Sequence, residues 1–188
     1  LMAMKDPEVR GLFLFAPAFA IKDWRVALTG LMSVFTTWVG PPLDDVDIAK
    51  YETFAVNAAY QIHRLTRLTD GKFAEGKRLS APIFAAVSED DITVDAGKIV
   101  EVFEKYAPSP KSRLILYSAR PEGPAPGNGD ARILVENSRL PEMNVLAFSH
   151  PCIPMPPEDP HYGRDSGYRN CLHYTGNREK WEACRRDG

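Results

Sequence analysis

No stretch of this 188-residue chain approaches the roughly 18 uninterrupted apolar residues that a membrane span requires. Charge of one sign is missing too. With 23 basic against 25 acidic side chains, the net charge of −2 gives no electrostatic reason to expect nucleic acid or an anionic membrane surface as partner. Cysteine is scarce: Cys152, Cys171 and Cys184 all lie near the C-terminal end, and an odd count allows one disulfide with a free thiol or three reduced thiols. A zinc site would want four nitrogen or sulfur ligands in paired spacings such as C-x2-C, which Cys152, His161, Cys171, His173 and Cys184 do not supply. No metal and no cofactor is expected. A Cys171–Cys184 bridge closing the tail is the competing reading. It would point to export, because reducing compartments rarely keep such bonds; without it the chain could equally be cytoplasmic. Internal repeats are absent.

What is present suits one globular domain with a real core, since 44% of the residues are apolar and 26% charged. The centre of the chain is Ala81 to Ala107. Ile83 to Val87 is a short apolar run of the kind that a strand covered on both faces shows, with Pro82 at its start. Ser88-Glu89-Asp90-Asp91 stops that run with three carboxylates. Asp95 is placed to cap a helix whose apolar positions Ala96, Ile99, Val100, Phe103 and Tyr106 recur at helical spacing.

Around this centre, Val9 to Phe15 reads as another buried parallel strand. From Lys22 to Val39, Leu28, Leu31, Met32, Phe35 and Trp38 predict one apolar helix stripe, with Asp23 as cap and Gly40-Pro41-Pro42 as stop. A second helix is expected over Tyr51–Leu68, with Phe54, Ala55, Ala58, Ala59, Ile62 and Leu65 inward and His63 on the polar side. Leu114–Tyr117, Ile133–Val135 and Asn144–Phe148 read as further strands, the last closed by Ser149-His150-Pro151; residues 121–130 form a loop rich in proline and glycine. The tail from Cys152 to Gly188 is expected to be irregular, with one short helix near Glu179–Arg185. Strands alternating with helices predict an α/β fold with a mostly parallel sheet of about four strands flanked by helices. Leu1 to Pro7 reads as the last turn of a helix with no start, so residue 1 is expected to be an internal cut.

Asp91 ends one strand and His150 a later one. Each alone is most simply a solvated turn carboxylate and a structural histidine. Together, in this order, they match the acid–histidine half of a Ser…Asp…His triad, in which the carboxylate orients the imidazole. The sequence A-P-I-F-A-A-V-S-E-D-D-I-T-V resembles the strand and turn that carry the triad acid of the α/β-hydrolase superfamily. Its D-x-x-V places that acid on Asp91 rather than Asp90. V-R-G-L-F-L-F-A-P-A-F resembles the strand after the nucleophile helix, residues 22–68 stand where that family inserts a helical lid, and S-H-P-C-I-P resembles its histidine loop, with His150 as the base.

The resemblance implies a serine hydrolase of carboxylic esters, small-molecule or lipid, with Leu28, Leu31, Phe35 and Trp38 able to line an acyl pocket or simply to pack the lid. The family's G-x-S-x-G elbow is not found. Gly163-Arg164-Asp165-Ser166-Gly167 has its serine in the wrong place, so the nucleophile is expected upstream of Leu1 and this chain alone is expected to be inactive. The histidine also lies one strand later than the simple family pattern. Two alternatives stay open: a non-catalytic fragment or binding module, and a dehalogenase-like enzyme with an aspartate nucleophile. An unpaired sheet edge would favour pairing with a missing N-terminal half, or self-association.

Overall fold

The computed structural model describes residues 1–39, 53–121, 129–143, 145, 147–163, 165–168, 171 and 177–187. The stop at 40–42, the helix start at Tyr51, most of the 121–130 loop, and positions 144, 146, 164 and 173 lie outside them. The chain divides into two compact units, Leu1–Ile153 and Pro154–Gly188.

The first unit is built on a four-stranded, all-parallel sheet in chain order: β1 (Leu12–Phe15), β2 (Ile83–Ser88), β3 (Arg113–Ser118) and β4 (Ile133–Asn137). Helices flank it: the single turn α1 (Thr29–Met32), the long α2 (Val56–Ala74) and α3 (Ala96–Tyr106). This is an α/β fold. Local chemistry explains the central piece. Pro82 has no N–H to offer, so pairing starts one residue later, where the Ile83 N–H donates to the buried Ser112 Oγ at 3.0 Å. The Asp95 side chain accepts from the Lys98 N–H at 3.0 Å and opens α3, which ends just before Pro108. Ile99, Val102 and Phe103 of α3 then meet Ile83, Ala85 and Val87 of β2 and Leu114 and Leu116 of β3 in one core. Burying Ile99 alone is worth about 1.5–3 kcal/mol.

Four expectations need correction. β1 covers only Leu12–Phe15, and it is shielded on one face: Leu12 and Leu14 pack on the core, whereas Phe13 is 77% exposed and groups with Phe15 and Phe84 on the opposite face of the sheet. The helix expected over 22–39 is a 3-10 turn at Trp24–Leu28 followed by α1. Its hydroxyls bond backward, Thr29 Oγ1 to the Val26 carbonyl and Ser33 Oγ to the Gly30 carbonyl, which favours short turns over a continued helix. Gly30 faces the Tyr60 ring, and a Cβ there would stand 2.7 Å from it, so a larger residue would have to push that ring aside.

The third correction concerns α2, which is helical as expected but rotated. Val56, Ala59, Thr66, Thr69 and Phe73 are buried while Leu65 and Leu68 are more than half exposed. The threonines can turn inward because their hydroxyls donate to the carbonyls of His63 and Leu65, both at 2.8 Å. Last, among the described residues of the strand expected over 144–148, Val145 forms an antiparallel bridge with Leu140 while residues 147–149 are irregular, so His150 does not directly follow a strand residue.

The second unit holds α4 (Arg178–Asp187) and a Cys171–Cys184 disulfide. It also contains a ring cluster of His161, Tyr162 and Tyr168. The short helix expected near Glu179–Arg185 is found as α4, and the candidate Cys171–Cys184 bridge is formed.

Candidate acid–histidine site

The site forms at the carboxyl end of β2, the end of a parallel strand where ligands and catalytic groups collect in open α/β sheets. Beyond Ser88 the chain must turn at once. Ser88 Oγ accepts the Asp90 N–H at 3.1 Å, and the Glu89 N–H donates to the Tyr117 carbonyl at 2.9 Å. Asp91 follows with its side chain fully buried. Its Oδ1 accepts the N–H groups of Thr93 at 2.8 Å and Val94 at 2.9 Å. Its Oδ2 faces the loop after Phe148, where it accepts the His150 backbone N–H at 2.7 Å and lies 3.0 Å from His150 Nδ1. One carboxylate therefore holds both its own turn and the histidine loop.

Burial pushes the Asp91 carboxyl up. Hydrogen bonds from the His150 ring and from the Val94 and Thr93 amides, together with the nearby imidazole charge, outweigh that and lower it from 3.8 to about 2. Asp91 is then ionised at neutral pH and can only accept, so the contact requires a proton on His150 Nδ1. The imidazole is 47% exposed, and Nε2 is the ring nitrogen that Asp91 does not engage. Such a ring is oriented, fixed in one tautomer, and free to exchange a proton at Nε2.

Of the neighbouring carboxylates, Asp90 has a buried Oδ2 with no hydrogen-bond partner among the described residues, and Glu89 is exposed. The acid turn thus delivers Asp91 and not Asp90 to the histidine, in the place that D-x-x-V marks. Leu28, Leu31, Phe35 and Trp38 do not gather round this pair as one buried stripe. They are exposed, Leu31 by 70% and Phe35 by 81%, because the helix that would have aligned them is broken. Cys152 is a free thiol whose Sγ is 3.3 Å from Ser149 Oγ. Cys171 and Cys184 are joined in the second unit, and no cluster of three or more metal-ligating side chains occurs among the described residues. No helix among them is long and apolar enough to cross a membrane.

One participant carried no sequence signal. Lys22 was expected to begin a helix, yet its Nζ reaches the backbone carbonyls of Asp91 at 2.5 Å and Glu89 at 3.4 Å, 69 and 67 residues away. Only the folded chain brings β1 beside β2 so that the segment leaving one passes the turn leaving the other. Comparison with family models, with curated proteins and with solved structures finds no match to this chain.

Proposed function

We propose that this chain carries the acid–base half of a hydrolase that cleaves carboxylic esters, with Asp91 as the orienting acid and His150 as the proton-transferring base. One observation supports the reading above the others: a fully buried, ionised carboxylate on Nδ1 of a half-exposed imidazole. Asp91 keeps the proton on Nδ1 and stabilises the imidazolium that forms when Nε2 accepts a proton. Nε2 takes that proton from an attacking hydroxyl and returns it to the leaving alcohol. The attacking hydroxyl and the donors for the oxyanion are not assigned to residues of this chain, and the roles proposed are those of the acid–base pair alone. The substrate would be a small-molecule or lipid ester.

The natural gene product carrying this chain provides the test. Its turnover of a p-nitrophenyl acyl ester and its labelling by a fluorophosphonate are measured alongside His150→Ala. Labelling of a serine, and a loss of roughly 1,000-fold or more in kcat for the variant, are expected. A gene product that is never labelled, and whose ester turnover is equal with and without His150, would sink the proposal in favour of a binding module. Dehalogenation of a haloalkane without phosphonate labelling would instead favour an aspartate nucleophile on the same pair.

A further inference from the structure

We infer that Lys22 is a positioning residue for the acid–histidine pair: by tying the carbonyls of the acid turn, it keeps Asp91 Oδ2 on the His150 ring. The inference rests on the proposed roles of Asp91 and His150 and adds what holds them in register.

The acid turn faces a structural difficulty. Residues 89–92 lie beyond the last residue of β2 and present a buried carboxylate, so their carbonyls need partners from outside the strand ladder. Two of these, from Glu89 and Asp91, are gathered by a single ammonium group, Lys22 Nζ. The contact to the Asp91 carbonyl is the close one and that to Glu89 is long, and Lys22 itself is exposed, so its effect is one of holding the turn's orientation and not of a large energy.

The same segment grips the turn through its backbone. The Lys22 N–H donates to the Thr93 carbonyl at 2.9 Å, the Asp95 N–H donates to the Ala20 carbonyl at 3.1 Å, and Ile21 and Val94 form an antiparallel bridge. Thr93 and Val94 are also the residues whose amides hold Asp91 Oδ1. Asp91 is therefore clamped from both sides: its carboxylate by Thr93 and Val94, and its carbonyl by Lys22.

The route into this clamp is itself constrained. Ala16 leaves β1 with a φ of 45°, in the left-handed region that a non-glycine residue occupies only when its surroundings impose it. Its N–H still bonds the Ala86 carbonyl at 2.8 Å, so the chain bends sharply off the sheet at the level of β2's last residues. That bend delivers Ala20–Lys22 alongside Thr93–Asp95.

Lys22 touches neither the His150 ring nor any reacting atom, so its effect must be read at the ring. In the full chain, NMR of the imidazole should show a strongly downfield Nδ1 proton on His150, assigned by its disappearance in His150→Gln. Lys22→Met should lose that resonance, through exchange of the freed turn, while the chain stays folded. Lys22→Arg, which keeps a cationic donor of similar reach, should retain it. Lys98→Met, which breaks the ion pairs of Lys98 with Asp70 and Glu101 elsewhere in the same unit, is the control for general destabilisation. Survival of the resonance in Lys22→Met, or its equal loss in Lys98→Met, overturns the role of Lys22 and leaves the pair intact. Its absence from the wild-type chain overturns the pair and the role of Lys22 together.

Discussion

Two parts of the first unit have similar apolar content and opposite fates. In β2–turn–α3, residues 83–106, most apolar side chains are buried, with Ile92 of the turn 70% exposed, the helix is capped and the Asp91 carboxylate is held by named donors. In residues 24–39, Trp24, Leu31, Val34 and Phe35 are each at least 70% exposed, and the backbone manages only short turns. The difference lies in what each piece packs against. β2 has β1 and β3 on its two edges and α3 across one face, so burial there follows from the sheet. The 24–39 segment touches α2 through Gly30 and Tyr60, while its larger side chains face outward. Hydrophobicity alone does not decide burial; the availability of a partner surface does.

Substitutions can break that comparison. Asp91→Ala leaves the buried amides of Thr93 and Val94, the His150 amide and the His150 ring without their acceptor. It should cost about 3–5 kcal/mol, read from urea unfolding of the chain. A cost below about 1 kcal/mol would mean that the turn is as loosely held as the 24–39 segment.

Acid sharpens the same contrast. Because the Asp91 carboxyl is lowered to about 2 in the folded chain, against about 3.9 unfolded, its contribution is fully present above about pH 4 and is lost as pH falls through 2. The difference amounts to about 2 kcal/mol. Unfolding midpoints measured from pH 5 down to pH 2 should fall by that increment in the wild type and lack it in Asp91→Ala. The smallest effect belongs to the exposed segment: Phe35→Ser should change stability by less than about 0.5 kcal/mol, because no core contact is removed. A loss of 2 kcal/mol or more there would show that Phe35 is covered in solution.

The parts of the fold legible in the sequence were those whose causes are local. The α3 stripe, its Asp95 cap and the run Ile83–Val87 each carry their reason within a dozen residues. The parts that were not legible depend on remote partners. Nothing in Leu65 or Leu68 says that Thr66 and Thr69 will turn inward instead: the back-bonds to their own helix only permit it, and what α2 packs against decides which face is covered. Nothing in V-R-G-L-F-L-F says that only alternate residues will find cover. The acid and the histidine were singled out by their order and by a strand end apiece, and one of those strand ends is a loop. Lys22 was out of reach altogether, since its partners stand 67 and 69 residues along the chain.

Asp91 Oδ2 binds the His150 backbone amide and the His150 ring with the same atom. Seating the loop and orienting the ring are thus a single event: a molecule in which the loop has landed is also one in which the imidazole is held. Deuterium uptake at that one amide therefore reports how often the loop, and with it the ring, leaves the Asp91 carboxylate. Any condition that slows its exchange lowers the fraction of chains in which the loop has come away from Asp91.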